Sequence, residues 1–76
     1  MNSTNIKWCT YQGFLAIIDK FDVRRGMAYV MCQRSTCGGV VAVRQYVRIS
    51  HLHPVNLKYY KDSVKAWLSH EYEKGK

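Results

Sequence analysis

Carboxylates are scarce in this chain: five Asp and Glu stand against twelve Lys and Arg, giving a formal charge of +7 and a pI near 9.6. A small protein that mimics nucleic acid needs clustered carboxylates, so that class is excluded and the expected partner is negative. Proline occurs once, at Pro54, and no Gly/Ser/Pro-rich or low-complexity stretch marks a linker. No apolar run, residues 14–18 included, comes near the roughly 20 residues that cross a bilayer. The opening Met1-Asn2-Ser3-Thr4-Asn5-Ile6-Lys7 lacks the basic start and apolar segment of a secretory signal. We therefore expect a cytoplasmic protein with no membrane partner. Cysteine is limited to Cys9, Cys32 and Cys37, an odd number without framework spacing. That count suits a reducing compartment, with Cys32–Cys37 the one disulfide an intervening turn would allow.

Length sets a second limit. With 76 residues the chain builds one core, and a chain of this size buries only about 60% of its unfolded surface. A cleft with several catalytic side chains would compete with that core. We expect a single basic domain over 1–76, with flexible ends at 1–5 and 73–76, and no enzymatic activity. Gly38-Gly39 lacks the following Lys-Ser/Thr of a phosphate-binding loop. Asp19 and Asp22, three apart in a strand, point to opposite faces and make a poor carboxylate pair. Cys37 would become a nucleophile only if His51 or His53 met it, and nothing in the spacing enforces that meeting. Cys32, Cys37, His51 and His53 are the right types for a metal site. Their separations, four residues between the cysteines and one between the histidines, depart from zinc-finger spacing. No metal or cofactor is expected.

What is abundant is β-branched and aromatic residues between turn signals. Residues 13–21, 27–34 and 40–50 read as strands, separated by Asp22-Val23-Arg24-Arg25-Gly26 and by Ser35-Thr36-Cys37-Gly38-Gly39. Residues 6–11 supply a further strand, with Gly13 as a bulge or bend. Beyond Pro54, Leu57, Tyr60, Val64, Trp67, Leu68 and Tyr72 recur at three- and four-residue steps, the stripe of a helix capped by Asn56. Glu71 and Glu73 lie at the wrong end for the helix dipole, which predicts fraying beyond His70. The fold class is α+β: a small curled antiparallel sheet of three to five strands followed by a C-terminal amphipathic helix. The sheet either closes as an SH3-like barrel, the form the glycine-bounded strands and short turns favour, or stays open as a β-β-β-α layer pair.

Pleat parity divides the third strand. Val41, Val43, Val47 and Ile49 fall on one side, Arg44, Tyr46 and Arg48 on the other. If the apolar row faces the core, the other three project outward at about 7 Å per two residues, near the spacing of successive phosphates. Guanidinium groups fork onto phosphate oxygens and a tyrosine stacks on an unpaired base. Arg24 and Arg25 in the first turn and Arg34 near the second extend the positive surface. The blander reading is a solvated outer face with ordinary polar turns. The lysines Lys58, Lys61 and Lys65 read as the solvated side of the helix. Two functions follow as expectations. One is a nucleic-acid-binding module that grips the phosphate backbone of DNA or RNA through Arg24, Arg25, Arg34, Arg44, Tyr46 and Arg48. The other is a non-catalytic adaptor or inhibitor that docks on an acidic surface of a larger protein. An open sheet edge would also permit a homodimer.

Overall fold

The structure is a computed structural model that describes residues 6–74. The expected flexible segment 1–5 and residues 75–76 lie outside the described residues. Strands β1 (Lys7–Tyr11), β2 (Phe14–Asp22), β3 (Met27–Thr36), β4 (Gly39–Arg48) and β5 (Leu52–His53) precede one helix, α1 (Asp62–Lys74). They form a five-stranded antiparallel sheet in the order β4-β3-β2-β1-β5.

Turn chemistry sets the hairpins. Gln12 (φ 55) and Gly13 (φ 84) both take the left-handed conformation of a tight two-residue turn, so of the bulge or bend expected at Gly13 the structure has the bend, as a hairpin turn. Gly26 (φ 67) ends the 3-10 turn Val23–Arg25 between β2 and β3. Cys37 and Gly38 join β3 to β4, and the Thr36 hydroxyl accepts from Gly38 N–H and donates to Gly39 O. The bulge lies instead at Asp19, where the β2–β3 register shifts between Ile18 and Lys20.

The sheet does not close into a barrel. A 3-10 turn, Ile49–His51, carries the chain from β4 at one edge to β5 at the other, so the edges approach at that corner. β5 is two residues long and, among the described residues, pairs only with β1, through Thr10 and Tyr11. No ladder joins β4 to β5 among the described residues, and the open alternative holds.

Both faces of the central strands are apolar. Leu15, Ile17 and Met31 pack under Leu68 and Tyr72 of α1, with Trp8, Val64 and Trp67 partly buried around them. On the other face Cys9, Ala16, Ala28, Val30, Cys32 and Val47 form a second cluster, bordered by Tyr11, Ile18, Val43, Ile49 and Leu52. Small side chains at its centre let the sheet curl over itself without a covering helix. This arrangement corrects the simplest reading of β4. Its apolar row, Val43 and Val47, belongs to the curled face, whereas the helix packs on the side that carries Ala42 and Arg44.

The helix also begins later than its stripe predicts. Asn56 caps only the 3-10 turn Leu57–Tyr59, its Oδ1 accepting from Lys58 N–H at 3.1 Å. Tyr60 is then extended (φ −119, ψ 142), and α1 starts at Asp62. Leu57 and Tyr60 still reach the helix-side core from outside the helix. At the far end α1 continues past His70 to Lys74, because the buried Tyr72 anchors the last turn to the sheet.

Candidate nucleic-acid interface

The site is built on the helix-side face of the sheet, beyond the end of α1. The two-residue turn at Cys37-Gly38 fixes the β3–β4 register, and that register sets Tyr29 directly opposite Tyr46. Their rings lie 4.8 Å apart at 46°. On the other side of Tyr29 the bulge at Asp19 brings Lys20 into the same cross-strand row, with its ammonium 5.7 Å from the Tyr29 ring centre. Lys20, Tyr29 and Tyr46 therefore form one row across three strands. Tyr46 is the outermost, with 47% of its surface exposed on the edge strand.

The next row is Asp22, Met27 and Arg48. Arg48 is exposed, and no ion pair engages Lys20, Arg24 or Arg48 among the described residues. Arg25 meets Asp22 at 3.7 Å across an exposed turn, a contact worth well under about 1 kcal/mol in water. The hydrogen bond from Ile49 N–H to Gly26 O (2.9 Å) holds the Arg24/Arg25 turn against the end of β4. Arg24, Arg25 and Arg48 thus gather at the end of the sheet that adjoins the tyrosine row.

Arg44 sits differently. Its side chain keeps only 21% of its surface, its Nη1 lies 3.5 Å from Asp19 Oδ2, and its Nη2 donates to the carbonyl of Tyr72 at 2.9 Å. The guanidinium carbon is 5.2 Å from the Tyr72 ring centre, and the Tyr72 hydroxyl donates to Asp19 Oδ1 at 2.9 Å. Arg44, Asp19 and Tyr72 form a closed polar clasp between sheet and helix. Of the row Arg44, Tyr46 and Arg48, the first is largely occupied by the fold while the other two face solvent.

Arg34 stands apart. It is five residues from Tyr29 along β3, about 17 Å, and it points to the curled face, where its Nη2 donates to Gln45 Oε1 at 3.3 Å. Of the lysines expected on the helix only Lys65 lies in it, where it bonds Asp62 (3.1 Å) and the Leu57 carbonyl; Lys58 and Lys61 precede α1 and are exposed.

The cysteines and histidines do not converge. Cys32 is buried, Cys37 lies exposed at the hairpin tip, and all three thiols are free. His51 and His53 are exposed near the opposite edge. Among the described residues no three His, Cys, Asp or Glu side chains group as metal ligands would. Burial pushes the Cys9 thiol up to about 11, and the neighbouring Cys32 adds to the rise. Cys32 is raised by burial too, against the opposing influence of Arg34 and a hydrogen bond from Gln45. Both are held as thiols at neutral pH.

Lys20 and Tyr29 were not among the residues the sequence singles out. Tyr29 was within reach, because a two-residue turn at Cys37-Gly38 already pairs it with Tyr46. Lys20 was not, since no local signal marks the bulge. No protein-family model matches the chain, and comparisons with characterised proteins and with solved structures find no match for it. No helix among the described residues is long and apolar enough to cross a membrane.

Proposed function

We propose that the protein binds single-stranded nucleic acid across the end of its sheet, with Tyr46 as the base-stacking platform. The observation that carries this reading is the exposed Tyr46 ring, backed by Tyr29 in a row that ends on Lys20, at the end of the sheet that also carries Arg24 and Arg48; none of the three cations has a carboxylate partner among the described residues. Stacking on an aromatic ring suits unpaired bases of any sequence and contributes about 1–3 kcal/mol per base. The guanidinium and ammonium groups hold the backbone, which orients the strand without specifying it. Arg44 has a positioning part here: by tying the Tyr72 end of α1 to β4 and to Asp19 of β2 it fixes the ground on which the tyrosine pair stands.

The test is fluorescence anisotropy with a labelled 12-residue oligonucleotide carrying a 5′-hydroxyl, in DNA and RNA forms. Tyr46→Ala and Arg48→Ala should each weaken binding by about tenfold, while Arg34→Ala, remote from the row, leaves it unchanged. Equal binding by wild type, Tyr46→Ala and Arg48→Ala would remove this surface from consideration.

A second reading, attachment to an acidic protein surface, draws on one feature. The outer edge of β4 has no strand partner among the described residues, and Val40 and Val41 on it are 52% and 41% exposed. Such an edge can accept a strand from another chain. A partner that survives nuclease treatment and is lost in Val41→Lys would favour this reading.

A further inference from the structure

On the opposite face of the sheet, away from Tyr46, β2 and β3 part company. Their ladder stops at Ile17 opposite Met31, and beyond it the Gln33 amide donates to the Leu15 carbonyl at 2.9 Å in place of a backbone partner. The splay opens a cavity of about 370 Å³ between the Gln12-Gly13 turn and the β3–β4 hairpin, within the size range of small-ligand sites. Its apolar wall includes Tyr11 and Phe14, which face each other across the β1–β2 hairpin. Phe14 leaves 54% of its surface in solvent, which gives the cavity a ring surface on which a planar group can stack.

The polar wall joins two side chains. Arg34 Nη2 donates to Gln45 Oε1 at 3.3 Å, which orients the carboxamide. The remaining N–H groups of the Arg34 fork are available, since one guanidinium carries five donors. Among the described residues Arg34 is the only charged one in the lining, and no carboxylate shares it. A ring surface beside a guanidinium in a site without negative charge selects a planar aromatic group bearing an anion.

We propose that this cavity takes one mononucleotide unit, its base stacked on Phe14 and its phosphate on Arg34, with Gln45 hydrogen-bonding between them. The site is independent of the tyrosine row: Gln45 and Tyr46 are neighbours in β4 and point to opposite faces. Either can fail while the other stands.

The experiment is a titration of isotopically labelled protein with AMP, followed by backbone and side-chain amide shifts. Saturable shifts at Phe14, Arg34 and Gln45 are expected, with adenosine and inorganic phosphate each binding about tenfold or more weakly, since each lacks half of the recognition. Arg34→Ala, an exposed position, should lower AMP affinity by a similar factor, whereas Tyr46→Ala should not change it. A 5′-phosphorylated tetranucleotide then identifies the source of the ligand: if it displaces AMP, the site holds a strand end, and if it does not, a free nucleotide. Absence of saturable shifts at these residues up to about 10 mM AMP, shifts confined to Lys20, Tyr29, Tyr46 and Arg48, or wild-type affinity in Arg34→Ala would each overturn the proposal.

Discussion

At the scale of single residues, the Asp19–Arg44–Tyr72 clasp separates the roles of two arginines that sequence treats as equivalent. Arg44 and Arg48 share a strand, a parity and a charge, but only Arg44 meets a carboxylate and a helix terminus. Removing Asp19 leaves the Arg44 guanidinium, which has little exposed surface, without its carboxylate and removes a hydrogen bond from the Tyr72 hydroxyl. Asp19→Ala should therefore cost about 1–3 kcal/mol in urea unfolding. Arg48→Ala should stay within about 0.5 kcal/mol of wild type, as surface substitutions do. Equal losses in the two variants would mean that the clasp is not what holds the helix end. Cys9 gives a second test at this scale. Burial holds it at about 11, above the ordinary thiol value of 9.0, so folding favours the protonated thiol. That contribution is whole below about pH 9 and disappears as pH rises towards 11, because the unfolded chain releases the proton first. Wild type should lose about 2 kcal/mol more than Cys9→Ala between those limits, read as the divergence of their denaturation midpoints with pH.

At the scale of elements, strands and turns were legible because each is written locally. Glycines at 13, 26 and 39 adopt positive φ, and β-branched and aromatic residues fill the spans between turns. The side on which α1 packs was not legible from β4. Its odd row, with valines at 41, 43 and 47, looks like the obvious partner for a helix, yet the curled sheet buries Val43 and Val47 against itself. The informative segment was β2, where the unbroken run Phe14-Leu15-Ala16-Ile17-Ile18 predicts burial on both faces. A strand apolar on both sides needs two covers, and α1 can supply only one. The helix start was misplaced for a related reason. Leu57 and Tyr60 fit a helical stripe but reach the same core from a 3-10 turn and an extended residue. Leu68 is the point on which the helix depends, being fully buried against Leu15 and Ile17. Leu68→Ala should destabilise by about 2–5 kcal/mol, the range for a buried leucine. In a domain with only a few kcal/mol in hand, much of the population should unfold, seen as lost helical ellipticity at 25 °C. A folded Leu68→Ala protein with an unchanged transition would show that the sheet stands without its helix.

At the scale of the whole molecule, the few carboxylates matter more for where they sit than for how many there are. Asp62 and Glu71 are committed to lysines of the helix, Asp19 to the clasp and Asp22 to Arg25. None of these pairs neutralises Lys20, Arg24 or Arg48, so part of the excess of +7 is concentrated at the sheet end that carries Tyr46. A cation that contacts phosphate on binding displaces condensed counterions, and for a single strand each such contact contributes about 0.7 to the slope of log affinity against log salt. A cation elsewhere on the surface raises the general potential without adding a contact. The two kinds of charge can therefore be told apart by slope as well as by affinity. Lys20→Ala, Arg24→Ala and Arg48→Ala should each flatten the slope by about 0.7 for a 5′-hydroxyl oligonucleotide. Lys58→Ala and Lys61→Ala, exposed near the start of the helix, should leave it as it is. Combined in one chain, the three sheet-end substitutions should flatten it by about 2, because separate phosphate contacts release separate counterions. If all five lysine and arginine variants shift the slope alike, attraction is diffuse and the sheet end has no special claim to the strand.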